Sequence, residues 1–423
     1  MHAADQQAGG ATKATAYGWV VFALSFGLLI SDYMARQVLN AVFPLLKSEW
    51  ALTDGQLGAL SGIVALMVGL LTFPLSLVAD RWGRIRSLTL MAVLWSLATL
   101  LCAVARSYEE MFIGRLLVGV GEAAYGSVGI AVVLSVFPAA MRATLASAFI
   151  AGGVAGQVLG VGIGGWVADA HGWRAAFAII ALAGLTLAVI YPLAVRQRKI
   201  DALGGVDARS DASRPPVRSV FASRSLVCAY LASGLQYWVA GALPAWLPSF
   251  FNRYYGMQVA AAASFSALYL ALAGLGMVLC GVATDRYSRR RGDVAPSLGL
   301  AFSLGCAGTL GLAFLLPPGP LQLVLLGFGA FLCAASTGPT GAMVANLTPV
   351  AIHGTAFATL TLANNILGLA PGPTVTGWLA DHIDLIGALR ILPVPATLAA
   401  LAFAVSRRSY GRDFARVAVE VVQ

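Results

Sequence analysis

The chain has 423 residues, of which 59% are hydrophobic and 11% charged, whereas soluble domains run near ~45–50% apolar and ~25% charged. That balance excludes an ordinary soluble domain and marks a membrane protein. A net charge of +9 could suit nucleic acid, but the basic residues collect in alternate connections between apolar runs, where they set orientation instead.

Met1–Thr15 is polar, rich in Gly and Ala, and lacks the basic and apolar regions of a signal peptide. Residues 1–16 are expected to be a disordered cytoplasmic N-terminus, with the first apolar run as an uncleaved insertion signal. Runs of roughly 20 apolar residues predict twelve transmembrane helices, over 17–43, 55–79, 87–105, 108–137, 143–168, 174–195, 224–250, 258–283, 295–316, 320–345, 354–380 and 385–406. After the sixth run, Lys199–Ser219 is polar and rich in Gly, Ser and Pro. It predicts a linker, 196–223, between two six-helix halves, 17–195 and 224–406, with a tail at 407–423.

Arg81, Arg84 and Arg86 follow the second run, Arg196, Arg198, Lys199, Arg209, Arg214 and Arg218 the sixth, and Arg286, Arg289, Arg290 and Arg291 the eighth. Arg407, Arg408, Arg412 and Arg416 follow the last. All these connections fall on one side, so both termini are expected to be cytoplasmic. Cys102, Cys228, Cys280, Cys306 and Cys333 lie in apolar runs without metal-ligand or redox spacing and read as buried small side chains. His2, His171, His353 and His382 lie at or beyond run ends, so no metal, cofactor or enzyme constellation is expected. There is no ATP-binding loop to suggest a pump, and no segment long enough for a sensor's output domain.

The halves carry traces of each other. "SLVADRWGRIR", Ser76 to Arg86, matches "GVATDRYSRRR", Gly281 to Arg291, aligning Asp80 with Asp285 and Arg81 with Arg286. "GWVAD", ending at Asp169, matches "GWLAD", ending at Asp381. Matches at equivalent places indicate an internal repeat, and parallel six-helix repeats around a central cavity resemble the major facilitator superfamily. The resemblance covers nearly the whole chain, and "ADRWGRIR" is similar to the family's loop between its second and third helices. An aspartate at such a helix end can cap a facing helix of the other half while arginines grip carbonyls or carboxylates. Asp80, Arg81, Arg84, Asp285 and Arg286 are therefore candidate cytoplasmic gate residues, with topology alone the competing account of the arginines.

"SDYMARQVL" (Ser31–Leu39), "LTDGQLGALSG" (Leu52–Gly62), "GRLLVGVGEAAY" (Gly114–Tyr125) and "NNILGLAPGPTVTGWLAD" (Asn364–Asp381) resemble the bacterial Spinster-like subgroup. That resemblance implies proton-coupled alternating access, an anionic or zwitterionic substrate, and a location in the cell membrane of a bacterium. Arg36 aligns with the arginine of the subgroup's first-helix motif, but the aspartate expected before it is Ala35, and Asp32 stands where an asparagine is expected.

The charges inside these runs sharpen the expectation. Asp32 and Arg36 are four apart on one helical face. Arg115 and Glu122 are seven apart, sharing a face but about 10 Å apart along the axis, so each needs a partner elsewhere. Charges at bilayer depth cost at least ~2.5–3.5 kcal/mol each. They form either a salt-bridged packing cluster or a transport site. Asp32 and Glu122 are the candidate proton-coupling pair. Arg36 and Arg115 are candidate anion ligands through paired hydrogen bonds, and Tyr125 joins them from the fourth-helix motif. The other half offers Gln236, Trp238, Tyr269 and Asn364 as binding candidates, beside Tyr237, Thr337, Thr340 and Asn365, with packing as the plainer role for most.

The expected function is a proton-coupled secondary transporter of a lysolipid-like amphiphile or a small organic anion, with a multidrug–proton antiporter as the alternative. Its partners would be the lipid bilayer, the substrate and protons, without nucleic acid, and the chain would act as a monomer.

Overall fold

The computed structural model describes residues 16–203, 221, 223–288, 294–349 and 352–422. The expectations placed on 1–15, on most of the linker and on Arg289, Arg290 and Arg291 lie outside these residues. In chain order the helices are α1 Ala16–Trp50, α2 Asp54–Trp82, α3 Arg84–Val104, α4 Tyr108–Glu122, α5 Tyr125–Ser135, α6 Ala139–His171, α7 Trp173–Ala194 and α8 Gln197–Leu203. They continue with α9 Arg224–Tyr255, α10 Val259–Ser288, α11 Ala295–Leu315, α12 Pro320–Cys333, α13 Thr337–Leu347 and α14 His353–Ala363. A π-helical turn, Asn364–Leu369, leads into α15 Pro371–Ile383, α16 Leu385–Leu389 and α17 Pro393–Val422. No strand occurs among the described residues.

Eleven helical segments among the described residues are long and apolar enough to cross a membrane. The expected crossing near 354–380 supplies the twelfth as α14, the π turn and α15. Its interruption has a chemical cause: Pro371 offers no N–H and its ring crowds the carbonyl four residues back. The helix widens instead, with Ala370 N donating to Asn365 O at 2.9 Å, a spacing of five residues. The fourth and tenth crossings each consist of two helices, α4 with α5 and α12 with α13. Two boundaries move: α8 starts inside the expected linker, and α17 continues as helix past residue 406 to Val422.

Local chemistry marks several helix ends. At α2, Thr53 Oγ1 accepts from Gln56 N at 3.1 Å while Gln56 Oε1 accepts from Thr53 N at 3.0 Å, a reciprocal cap that satisfies two otherwise orphaned donors. The α2–α3 corner turns on Gly83, whose φ of 98° suits a residue without a Cβ.

Helices α1, α3, α4, α6 and α7 pack on one another, as do α9, α11, α12 and α17 with the π turn. Between the two groups run two long seams, α2 against α15 and α6 against α10. These seams are copies: the repeat that carries α2 onto α10 carries α6 onto the α14–α15 crossing. Both are narrow because small residues face them. On α2, a Cβ at Gly58 or Gly62 would overlap Pro373, Thr374 or Ala370, and on the second seam one at Gly165 would overlap Ala263.

Candidate functional site

The four charges expected inside the membrane do come together, but not in the pairs their spacing suggests. Arg36 Nε and Nη2 both donate to Glu122 Oε2, at 3.0 and 2.8 Å, joining α1 to the last residue of α4. Asp32 is buried beside this pair, and Asp32 Oδ1 and Glu122 Oε1 receive no donor. Two buried carboxyl groups beside one guanidinium carry one negative charge more than it can neutralise. The arrangement therefore has a place for one proton beside one guanidinium.

Arg115 does something else. Its Nε donates to Leu60 O at 3.3 Å, Nη1 to Ala35 O at 2.9 Å and Nη2 to Arg36 O at 3.0 Å. Its exposure is 0%. All three guanidinium nitrogens bind main chain, so Arg115 pins α1 and α2 to α4 and holds the carbonyl of Arg36 itself. A buried cation with a carbonyl dipole on every nitrogen is stabilised without an acid.

Beside the charged cluster lies a cavity of about 300 Å³ between the two groups of helices. Arg36 is its only charged lining residue among the described residues. The lining repeats as the sequence does. Tyr33, Arg36, Gln37 and Asn40 on α1 are answered by Tyr237, Ala240, Gly241 and Pro244 on α9, each set spaced i, i+3, i+4, i+7 on one helical face. At the α4–α5 break, Glu122-Ala123-Ala124 corresponds to Cys333-Ala334-Ala335 between α12 and α13, and Cys333 and Ala334 line the cavity. The counterpart of Asp32 is Gln236, whose Nε2 donates to Cys333 O at 3.0 Å.

Of the expected binding residues, Arg36 reaches the cavity. Tyr125 is buried against Trp95, with 5.0 Å between ring centroids, and its hydroxyl donates to Ser25 O at 2.7 Å. Gln236 is committed to the Cys333 carbonyl, Tyr269 donates to Leu323 O at 2.9 Å, and Trp238 packs against the apolar core. None of these lines the cavity, nor does Asn364, which lies in the π turn with its Oδ1 unpartnered. Tyr33, Gln37, Asn40, Ser61, Gln157 and Thr337 do line it. The α1 members were detectable from their shared helical face, whereas Ser61 and Gln157 have no polar residue three or four positions away on their helices to mark such a face.

The end of the bundle opposite both termini is sealed. Arg253 of α9 donates to both oxygens of Asp54 at 2.7 and 2.5 Å, and Lys47 donates to Asp54 Oδ1 at 2.6 Å. Asp381 of α15 accepts from Asp54 N at 2.7 Å and Gly55 N at 2.8 Å, placing a carboxylate on the positive end of α2. Below this ring Phe43 meets Trp246 at 5.3 Å. Asp381 thus caps one half from the other at the end opposite the one where Asp80 was expected to do so. The Asp80 side chain lies outside what is described. Arg81, Asp285 and Arg286 are exposed at the terminal end, while Arg84 is half-buried.

Twelve crossings in two repeated halves, closed at one end around a central cavity, define a membrane transporter of the rocking type. Residues 24–333 match the family model of the Major Facilitator Superfamily, and the chain belongs to that superfamily. It is 27% identical to the probable 4-methylmuconolactone transporter of Cupriavidus pinatubonensis (strain JMP 134 / LMG 1197), over 88% of this chain and 86% of that one. It is 26% identical to the gallate transporter of Pseudomonas putida, over 70% and 71%. With the probable L-galactonate transporter of Escherichia coli (strain K12) it shares 26%, over 62% and 60%. In fold it resembles a bacterial homolog of the human lysosomal transporter Spinster, solved inward-facing and occupied, with a TM-score of 0.85 at 20% identity over 95% of this chain and 99% of that one. The D-xylose–proton symporter follows at 0.69 and 20%, over 91% and 96%.

Proposed function

We propose that this protein is a proton-coupled secondary transporter of small organic carboxylates, working by alternating access in a bacterial cell membrane with both termini cytoplasmic. The observation that carries the reading is Arg36, which lines the cavity while both its contacting nitrogens are held by Glu122. A substrate carboxylate needs the same guanidinium face. It can take that face only when Glu122 lets go, and Glu122 lets go when it is protonated. Anion and proton then bind together and move together. Binding is fullest at low pH and weakens as pH rises, because the loaded state holds more protons than the empty one.

Size supports a small acid over a lysolipid: the cavity of about 300 Å³ is at the lower end of ligand pockets, which run ~300–1,000 Å³. A cationic drug would meet Arg36 as a like charge. The relatives named for 4-methylmuconolactone, gallate and L-galactonate agree with an organic acid. With the termini inside, the sealed end faces outward, so this arrangement opens toward the cytoplasm. The test is flux in liposomes. An acid-outside gradient should drive accumulation of a labelled small carboxylate, and a protonophore should abolish it. Accumulation indifferent to the gradient, or flux of cationic drugs alone, would refute the reading.

A further inference from the structure

The cavity wall around Arg36 carries a second feature that a carboxylate alone does not use. Asn40 Nδ2 donates to Gln37 Oε1 at 2.6 Å, Gln37 Nε2 to Gln157 Oε1 at 3.3 Å, and Ser61 Oγ to Asn40 Oδ1 at 3.2 Å. These four residues come from α1, α2 and α6, and all line the cavity. Each amide has two N–H donors. The row uses one donor on Gln37 and one on Asn40, and neither donor of Gln157 is used among the described residues. Packing does not require such groups there, since the matching positions on the other wall are Gly241, Pro244 and Leu369, which line the same cavity without them.

We propose that this row binds hydroxyl groups, so that the transported anion is a hydroxylated monocarboxylate. Its carboxylate would sit on Arg36, and its hydroxyls would exchange hydrogen bonds with Gln37, Asn40 and Gln157. This rests on the reading of Arg36 above and deepens it. The chemistry is selective because an apolar analogue leaves the amides desolvated and unpaired, a penalty that a merely smaller or larger apolar body does not incur.

The experiment is competition against a bound labelled acid by matched pairs that differ only in hydroxyls: gluconate with hexanoate, quinate with cyclohexanecarboxylate, and gallate with benzoate. At least one hydroxylated member should bind on the order of a hundredfold tighter than its counterpart. Gln37→Leu and Gln157→Leu, on different helices, should each draw that ratio toward unity. Because the ratio is read within one preparation, a loss of folded protein cancels. If no hydroxylated acid outbinds its counterpart, or if both variants keep the full ratio, the inference falls. Arg36→Ala separates the two claims: if the pairs bind alike and all are weakened by Arg36→Ala, only the hydroxyl inference fails. If Arg36→Ala changes nothing, the carboxylate reading fails with it.

Discussion

The two halves of the bundle place their helices alike and differ in what those helices carry. Asp32, Arg36 and Glu122 in the first half stand where the second has Gln236, Ala240 and Cys333, while Tyr33 and Tyr237 face each other unchanged. The first half's wall is thus a site for charge, and the second's is neutral and closely packed. On the proposed reading, coupling needs no signal between halves: Glu122 and the anion compete for the same guanidinium within one half, and a proton on Glu122 decides between them. The second half supplies closure, through Asp381 and Arg253 at the sealed end.

The largest break in this contrast is removal of the cation. Arg36→Ala should abolish transport and also leave Glu122 buried without a partner, a change that costs about 3–5 kcal/mol in comparable pairs. Adding Glu122→Gln should restore most of the thermal stability of the detergent-solubilised protein without restoring transport. Were the double variant to transport normally, the pair would be only a packing device.

A middle-sized effect is expected where the halves are latched. Asp381→Asn weakens the cap on α2, and Arg253→Ala leaves Asp54 to Lys47 alone. Either should raise labelling of a Ser61→Cys reporter from the sealed side, by about tenfold for ~1.4 kcal/mol of lost closure. Unchanged labelling would mean that Phe43 and Trp246 hold this end without the charged ring.

The smallest effects should come from single glycines in the copied seams. A side chain at Gly58 has no room against Pro373, so Gly58→Leu should pry α2 from α15 and increase the same labelling. Gly162 is different, because a Cβ there meets Ala267 at an ordinary 3.5 Å. Gly162→Ala should leave labelling near its original level and change stability by no more than about 1 kcal/mol. Equal responses at both glycines would show that room for a side chain does not decide the outcome.

Much of this was legible in the sequence. Composition and run length predict twelve crossings, and the matched motifs predict two repeats, because burial in lipid constrains each crossing locally. Partner choice is not local. Arg36 lies one turn from Asp32 yet donates to Glu122, and Arg115, which spacing alone recommends as an anion ligand, donates to three main-chain carbonyls supplied by α1 and α2. Spacing shows which residues share a face, but it does not show which helix that face will meet. The sealing ring was hidden for the same reason: Asp54, Arg253 and Asp381 sit at run ends, where isolated charges read as solvated. Pro371 rules out an uninterrupted helix but does not by itself specify the π turn before it.

If an anion can take Arg36 only when Glu122 holds a proton, proton uptake must accompany anion binding. Titrating the purified protein with a bound carboxylate in weakly buffered solution above neutral pH should show roughly one proton taken up per anion in the parent protein. Glu122→Gln, whose amide no longer competes as a charge for Arg36, should bind the anion with little or no uptake and with affinity nearly independent of pH. Anion binding by the parent protein without proton uptake, or undiminished uptake in Glu122→Gln, would contradict the account.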